Sequence, residues 1–155
     1  MTPPEYEKVV AEIIRGILSK GDSLKELPIR YGNKNRLIGA SGYKHQIDVS
    51  FDPSDKLYIV ECKRWKKRIG VAEILVLASR ARDIENAYPG KVVTAIIASQ
   101  VGATKGAMLL AKFFKIEISV AKSEYKFGLR LGRSIFLALK ESVTIKENAS
   151  LVVVP

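Results

Sequence analysis

Residues 45–52 (HQIDVSFD) and 56–63 (KLYIVECK) are two β-patterned arms around a Pro-Ser-Asp turn, and they carry three charged side chains into an apolar sheet. Period-two alternation and β-branched residues mark each arm as a strand, and Pro53 and Asp55 mark the turn. Side chains two apart on a strand share a face, roughly 6.5 Å apart, so Glu61 and Lys63 point together while Cys62 points away. Asp48 sits on the facing arm. Bringing these charges together beside Leu57, Ile59 and Val60 is costly in desolvation unless partner charges offset it. A divalent cation and a phosphate are such partners.

At 155 residues the chain is expected to form a single domain, residues 1–155, with an ordinary hydrophobic fraction of 47%. A formal charge of +10 favours a polyanionic partner, nucleic acid or an anionic membrane surface, over a merely soluble basic protein. One cysteine and one histidine exclude an intramolecular disulfide and a Cys/His zinc site, so any metal must be held by oxygen. No apolar run approaches the roughly 20 residues needed to cross a bilayer, and the amino terminus lacks the basic start of a signal peptide. The expected setting is cytoplasmic and reducing.

Thr2 is a plausible N-cap, with Pro3 and Pro4 in the first turn of an amphipathic helix reaching about residue 19. Tyr6, Val9, Val10, Ile13, Ile14, Ile17 and Leu18 form its apolar stripe. A 100° projection puts Glu5 and Glu12 on the solvated side and Glu7 inside the apolar arc, facing inward. An irregular strand is expected over residues 27–38, carrying Arg30, Lys34 and Arg36, and residues 39–42 form a flexible entry to the hairpin. The basic run Arg64-Trp-Lys66-Lys67-Arg68 follows. Next come a well-buried helix over residues 71–88, a doubly buried strand over 91–99, a helix over 102–114 and a strand over 116–120. Residues 134–143 suggest a helix and 144–154 a hairpin, the last strand an edge or a contact to another chain. The pattern indicates an α/β or α+β sheet flanked by helices on both sides.

Phosphodiester hydrolysis needs an activated water and neutralisation of charge on the phosphate. Mg²⁺ serves both ends and is usually held by one or two carboxylates, several waters and substrate phosphate. Asp48 and Glu61 are suitable ligands, the Cys62 carbonyl is a possible third, and Lys63 is suited to orient the water or stabilise the transition state. Glu7 is placed to hold a metal-bound water or a second ion. Arg64, Lys66, Lys67 and Arg68 would grip the DNA backbone next to the scissile phosphate. A Glu-x-Lys triplet alone carries little information, as Glu124-Tyr-Lys126 shows, having neither a preceding apolar strand nor a facing carboxylate. A buried Glu7–Lys63 pair without metal is the plainer alternative.

Asp48, Glu61-Cys-Lys63 and Glu7 together resemble the PD-(D/E)xK nuclease superfamily, and in particular Mrr-like restriction endonucleases. Tyr6-Glu7-Lys8-Val9-Val10 is similar to the Phe-Glu-x-Leu-Val opening of those catalytic domains, Gln46-Ile-Asp48-Val to their Gly-Ile-Asp-Ile element, and Glu61-Cys-Lys63-Arg64 to their Gln/Glu-Cys-Lys-Arg strand. Over residues 4–120 the resemblance implies a restriction-endonuclease-like α/β core, a mixed central β-sheet flanked by helices, with residues 121–155 as a C-terminal extension. It implies Asp48 and Glu61 as metal ligands for Mg²⁺ or Mn²⁺, Lys63 as the catalytic lysine and Glu7 as the helix carboxylate. Archaeal Holliday junction resolvases share this core and carry a Ser-Gly before the Asp strand, as Ser41-Gly42 does here.

The expected activity is Mg²⁺-dependent DNA endonuclease, acting as a homodimer because two strands are most simply cut by two sites. At 155 residues no separate DNA-recognition domain is expected, which points to structure selectivity or a specificity partner. Rival readings are a Holliday junction nuclease, a DNA-binding module that keeps the fold without cleaving and, more distantly, a membrane-surface protein. His45 reads as a structural, hydrogen-bonded histidine on the face opposite Asp48, Cys62 as a small core residue, and Trp65 as an anchor or a stacking platform.

Overall fold

The computed structural model describes residues 2–18, 28–53, 55–63 and 66–120, together with Lys122 and Lys126. Helix α1 (Pro3–Leu18) starts at Thr2, whose carbonyl accepts from the Tyr6 amide at 3.1 Å and whose amide is taken by the Glu5 carboxylate. Prolines fit the first turn because its amides have no partner within the helix. Tyr6, Val10, Ala11 and Ile14 are buried, while Glu5 and Glu12 are exposed.

Five short or medium strands follow: β1 (Arg30–Tyr31), β2 (Arg36–Ile38), β3 (Lys44–Gln46), β4 (Val49–Phe51) and β5 (Lys56–Lys63). The single irregular strand expected over residues 27–38 is therefore two strands in two different sheets. Gly32, at φ 81°, turns the chain between them, a conformation that only glycine takes cheaply. The first hairpin arm likewise divides: β3 pairs with β2 as a separate ribbon, and β4 pairs with β5. Residues 47–48 form the break, so Asp48 is freed from strand alternation.

Helix α2 (Val71–Ala87), β6 (Val92–Ser99), α3 (Lys105–Phe114) and β7 (Glu117–Val120) complete the described fold. The main sheet has the order β1-β4-β5-β6-β7, antiparallel from β1 to β5 and parallel from β5 to β7. Two successive parallel crossovers step in the same direction. Because such crossovers are right-handed, α2 and α3 must lie on one face, and α1 covers the other. The cores divide accordingly. Tyr58 and Val60 of β5 pack with Tyr6, Val10 and Ile14 of α1, whereas Leu57 and Ile59 pack with Ile74 and Leu77 of α2 and Ala107 of α3. The mixed sheet flanked by helices is the expected architecture, and β6 is buried over its last five residues, as its continuous apolar run implied.

Phe51 and Tyr58 are cross-strand partners with rings stacked at 4.8 Å and 3° between planes, filling the α1 side. Thr104 caps α3 by accepting from the Ala107 amide at 3.2 Å. Helix α2 departs from expectation. Ile74, Leu77 and Ile84 are buried, but Val71, Leu75 and Val76 are exposed at 42%, 43% and 58%, because only one side of the helix meets the sheet. The expected elements within residues 121–155 lie outside the described residues.

Ile97 is fully buried in β6 between the crossover helices. Ile97→Ala is expected to lower unfolding free energy by about 2–5 kcal/mol, the range for an aliphatic truncation that leaves a cavity. Denaturant titration gives the value, and a loss below about 1 kcal/mol would mean that the site is not close-packed.

Candidate active site

Strand β5 delivers Glu61 and Lys63 at its carboxyl end, on the face covered by α2. Their shared orientation is direct: Lys63 Nζ donates to Glu61 Oε1 at 2.7 Å. Arg80 of α2 donates from Nη1 to the other oxygen, Glu61 Oε2, also at 2.7 Å. The three side chains are 16–22% exposed, so the network is largely withdrawn from water but open on one side. A cavity of about 240 Å³ opens beside it, lined also by Glu73, Val76 and Leu77.

Asp48 joins from the break between β3 and β4. Its Oδ2 accepts from the Cys62 amide at 2.7 Å, a bond that a regular strand pairing would have denied it. The main chain around it is braced by Asn35, a buried amide. Asn35 Nδ2 donates to the carbonyls of Ile47 at 2.8 Å and Arg30 at 3.2 Å, and its Oδ1 accepts from Ser50 Oγ at 3.0 Å. The Ile47 amide donates to the Asn35 carbonyl at 3.0 Å, and the Gly32 amide to the Asp48 carbonyl at 3.2 Å.

Glu7 faces this end of the sheet from α1. Burial, then the charges of Asp48 and Glu61, raise its carboxyl above the usual range. Asp48 is also raised, by burial and then by Glu61, although the Cys62 amide, Lys63 and Arg80 pull the other way. Cys62 packs with the α1-side core, and burial followed by Asp48, Glu7 and Glu61 pushes its thiol well up. Three carboxylates thus share the site with two cations. The residual repulsion is one that a divalent cation relieves, and the donors are hard oxygens of the kind Mg²⁺ selects. Among the described residues no three His, Cys, Asp or Glu side chains close a metal cage by themselves. Binding through one or two carboxylates plus water and substrate oxygens suits that geometry.

Arg80 was not singled out from the sequence, yet it was legible there. Glu73, Leu77, Arg80 and Ile84 fall on one helical face, so the projection that turned Glu7 inward also turns Arg80 inward. Asp83 and Asn35 carried no local signal, since their partners are distant in sequence. Of the basic run, Lys66, Lys67 and Arg68 are exposed beyond β5, and Arg68 lines a separate cavity beside α3 and β7. Arg64 and Trp65 lie outside the described residues.

The stretch expected to be a flexible entry is instead clamped to α2. Asp83 Oδ1 accepts from the Ser41 amide at 2.8 Å, and Oδ2 accepts from Ser41 Oγ at 2.6 Å and meets His45 Nε2 at 2.7 Å. His45 is thus a hydrogen-bonded structural residue, and Ser41 is engaged in the same clamp. Gly39 lies so close that a Cβ there would fall on the Asp83 carboxylate.

The Mrr_cat family model, described as a restriction endonuclease, matches residues 1–118. No curated protein is similar enough to match. Among solved structures, protein VC1899 from Vibrio cholerae is similar over 82% of this chain and 32% of its own, with a TM-score of 0.60 and 16% identity. Can2 from Sulfobacillus thermosulfidooxidans, solved with cyclic tetra-adenylate, is similar over 80% of this chain and 34% of its own, with a TM-score of 0.55 and 22% identity. Protein AF1548, of unknown function, is similar over 73% and 56%, with a TM-score of 0.54 and 16% identity. At such identities the likeness is one of fold. The chain spans about a third to just over half of the length of these proteins.

The Ser41 and His45 bonds lower the Asp83 pKa from 3.8 to about 2. A depressed folded-state pKa stabilises fully above the unfolded value and is lost as pH falls through the folded one. Asp83→Ala is therefore expected to melt below wild type at pH 7, with the gap narrowing as pH falls from about 4 toward about 2. Gly39→Ala should show the same deficit at pH 7. Thermal melts across pH test both, and a gap that does not change with pH would remove the ionised clamp.

Proposed function

The chain belongs to the Mrr_cat family of restriction endonucleases, and from that membership we propose that it is a metal-dependent DNA endonuclease acting at Asp48, Glu61 and Lys63. The observation that carries the reading is the convergence of Glu7, Asp48 and Glu61 on one sheet end, each held by a different element, with Lys63 and Arg80 as the facing cations. A cluster that leaves carboxylates with raised pKa values is a poor source of stability and a good cation site.

Asp48 and Glu61, with the Cys62 carbonyl, would hold Mg²⁺ or Mn²⁺, which when bound neutralises phosphate charge and makes water a stronger acid. Lys63, oriented by Glu61, donates to a phosphate oxygen or to the attacking water. Arg80 is a positioning residue, fixing the angle of the Glu61 carboxylate through its bond to Oε2. Glu7, on the α1 side, would hold a metal-bound water or a second ion. Lys66, Lys67 and Arg68, with Arg64, supply the sequence-independent grip on the backbone. Two copies would cut the two strands of a duplex, and a separate partner would supply sequence choice. Among the described residues no helix is long and apolar enough to cross a membrane.

With Mg²⁺ or Mn²⁺ the protein should nick plasmid or branched DNA, and chelation should stop it. Asp48→Ala and Lys63→Ala are expected to lower the rate by at least about 10²–10³-fold while DNA binding stays nearly unchanged. If both variants cut like wild type, the site is misassigned. A panel of linear duplex, methylated duplex and four-way junction sorts restriction from modification dependence and from junction resolution. Binding without cleavage of any substrate would favour the non-catalytic module.

A further inference from the structure

A second charged concavity lies at the other end of the sheet. Arg30 of β1, Lys34 in the following turn, Arg36 of β2 and Lys91 before β6 line a cavity of about 540 Å³, together with Tyr31 and Tyr88. Its floor is apolar: Leu37 and Leu57 are buried at 7% and 2% exposure. Among the described residues Asp52 is the single carboxylate in the lining, and it takes both Arg30, at 3.4 Å, and Lys91, at 3.3 Å. Among the described residues the lining carries four cations and one carboxylate, with Lys34 and Arg36 on its exposed rim. Like charges are brought together here against their mutual repulsion, beside two aromatic rings and an apolar floor.

None of the charged residues of the active site lines this cavity, although Asn35, which braces the break at Asp48, does. Leu57 precedes Glu61 by four residues on β5, a separation of about 13 Å along the strand. The combination of a cationic rim, two tyrosines and an apolar floor fits a flat aromatic base attached to phosphate. We propose that this cavity is a binding site for a phosphate-bearing nucleotide unit, separate from the active site, with Lys34 and Arg36 on the phosphate. The unit belongs either to a free nucleotide or to a nucleic-acid strand, and the two sources share this chemistry. The inference goes beyond the cleavage reading and does not require it.

The test is calorimetric or fluorescence binding of ATP in one arm and of a short DNA duplex in the other, in an Asp48→Ala background so that cleavage plays no part. The Lys34→Gln/Arg36→Gln variant is expected to weaken binding at least about tenfold. Asp52→Asn, which removes the internal counter-charge, is expected to tighten it. A change in the ATP arm assigns a free nucleotide. A change confined to the duplex arm assigns a strand, and the slope of log affinity against log salt should then fall by about 2. Both altered side chains are exposed, so the double variant should melt with its parent. Unchanged affinity in both arms, or no binding of either probe by the parent, overturns the site.

Discussion

The bond from the Cys62 amide to the Asp48 carboxylate, 2.7 Å long, is the contact on which the candidate site depends. Its donor sits near the end of β5, the strand where the antiparallel half of the sheet meets the parallel half. Its acceptor sits in a break between two strands of different sheets. An aspartate in regular pairing would have pointed to one face or the other; released from alternation, it reaches the end of the neighbouring strand and stands beside Glu61. The break survives because Asn35 satisfies the backbone groups that the interruption would otherwise leave unpaired, and buried unpaired groups of that kind are costly.

Three layers then act on one point. Helix α1 contributes Glu7 from one face of the sheet, helix α2 contributes Arg80 from the other, and β5 contributes Glu61 and Lys63 between them. Each charged group is attached to an element already fixed by apolar burial, Val10 and Ile14 for α1 and Leu77 and Ile84 for α2. The hydrophobic cores thus position the charges, and the charges do not have to stabilise the fold. That division suits a site in which the carboxylates repel one another.

Much of this arrangement was legible residue by residue. The shared face of Glu61 and Lys63 follows from strand period two, and the inward turn of Glu7 follows from helix period 3.6, because both depend on the element that carries them. Arg80 was open to the same projection. Asn35 and Asp83 were not, since a polar residue bonded to a distant segment leaves no periodic trace nearby. The reading of α2 as well buried failed for a related reason: its apolar content says that a helix wants cover, whereas Leu75 and Val76 show that cover depends on what the sheet places opposite.

The strand and helix types, the direction of Glu7, Glu61 and Lys63 and the excess of positive charge follow from the order and kinds of residues alone. These are local or compositional properties, settled by side-chain periodicity and by counting. Tertiary contacts set where the strands break, divide residues 30–38 between two sheets, let Asp83 clamp the segment before Asp48, and bring Arg30, Lys34, Arg36 and Lys91 around a second cavity. Those outcomes depend on bringing together residues up to 61 positions apart, as Arg30 and Lys91 meet at Asp52, and spacing along a chain carries no record of them.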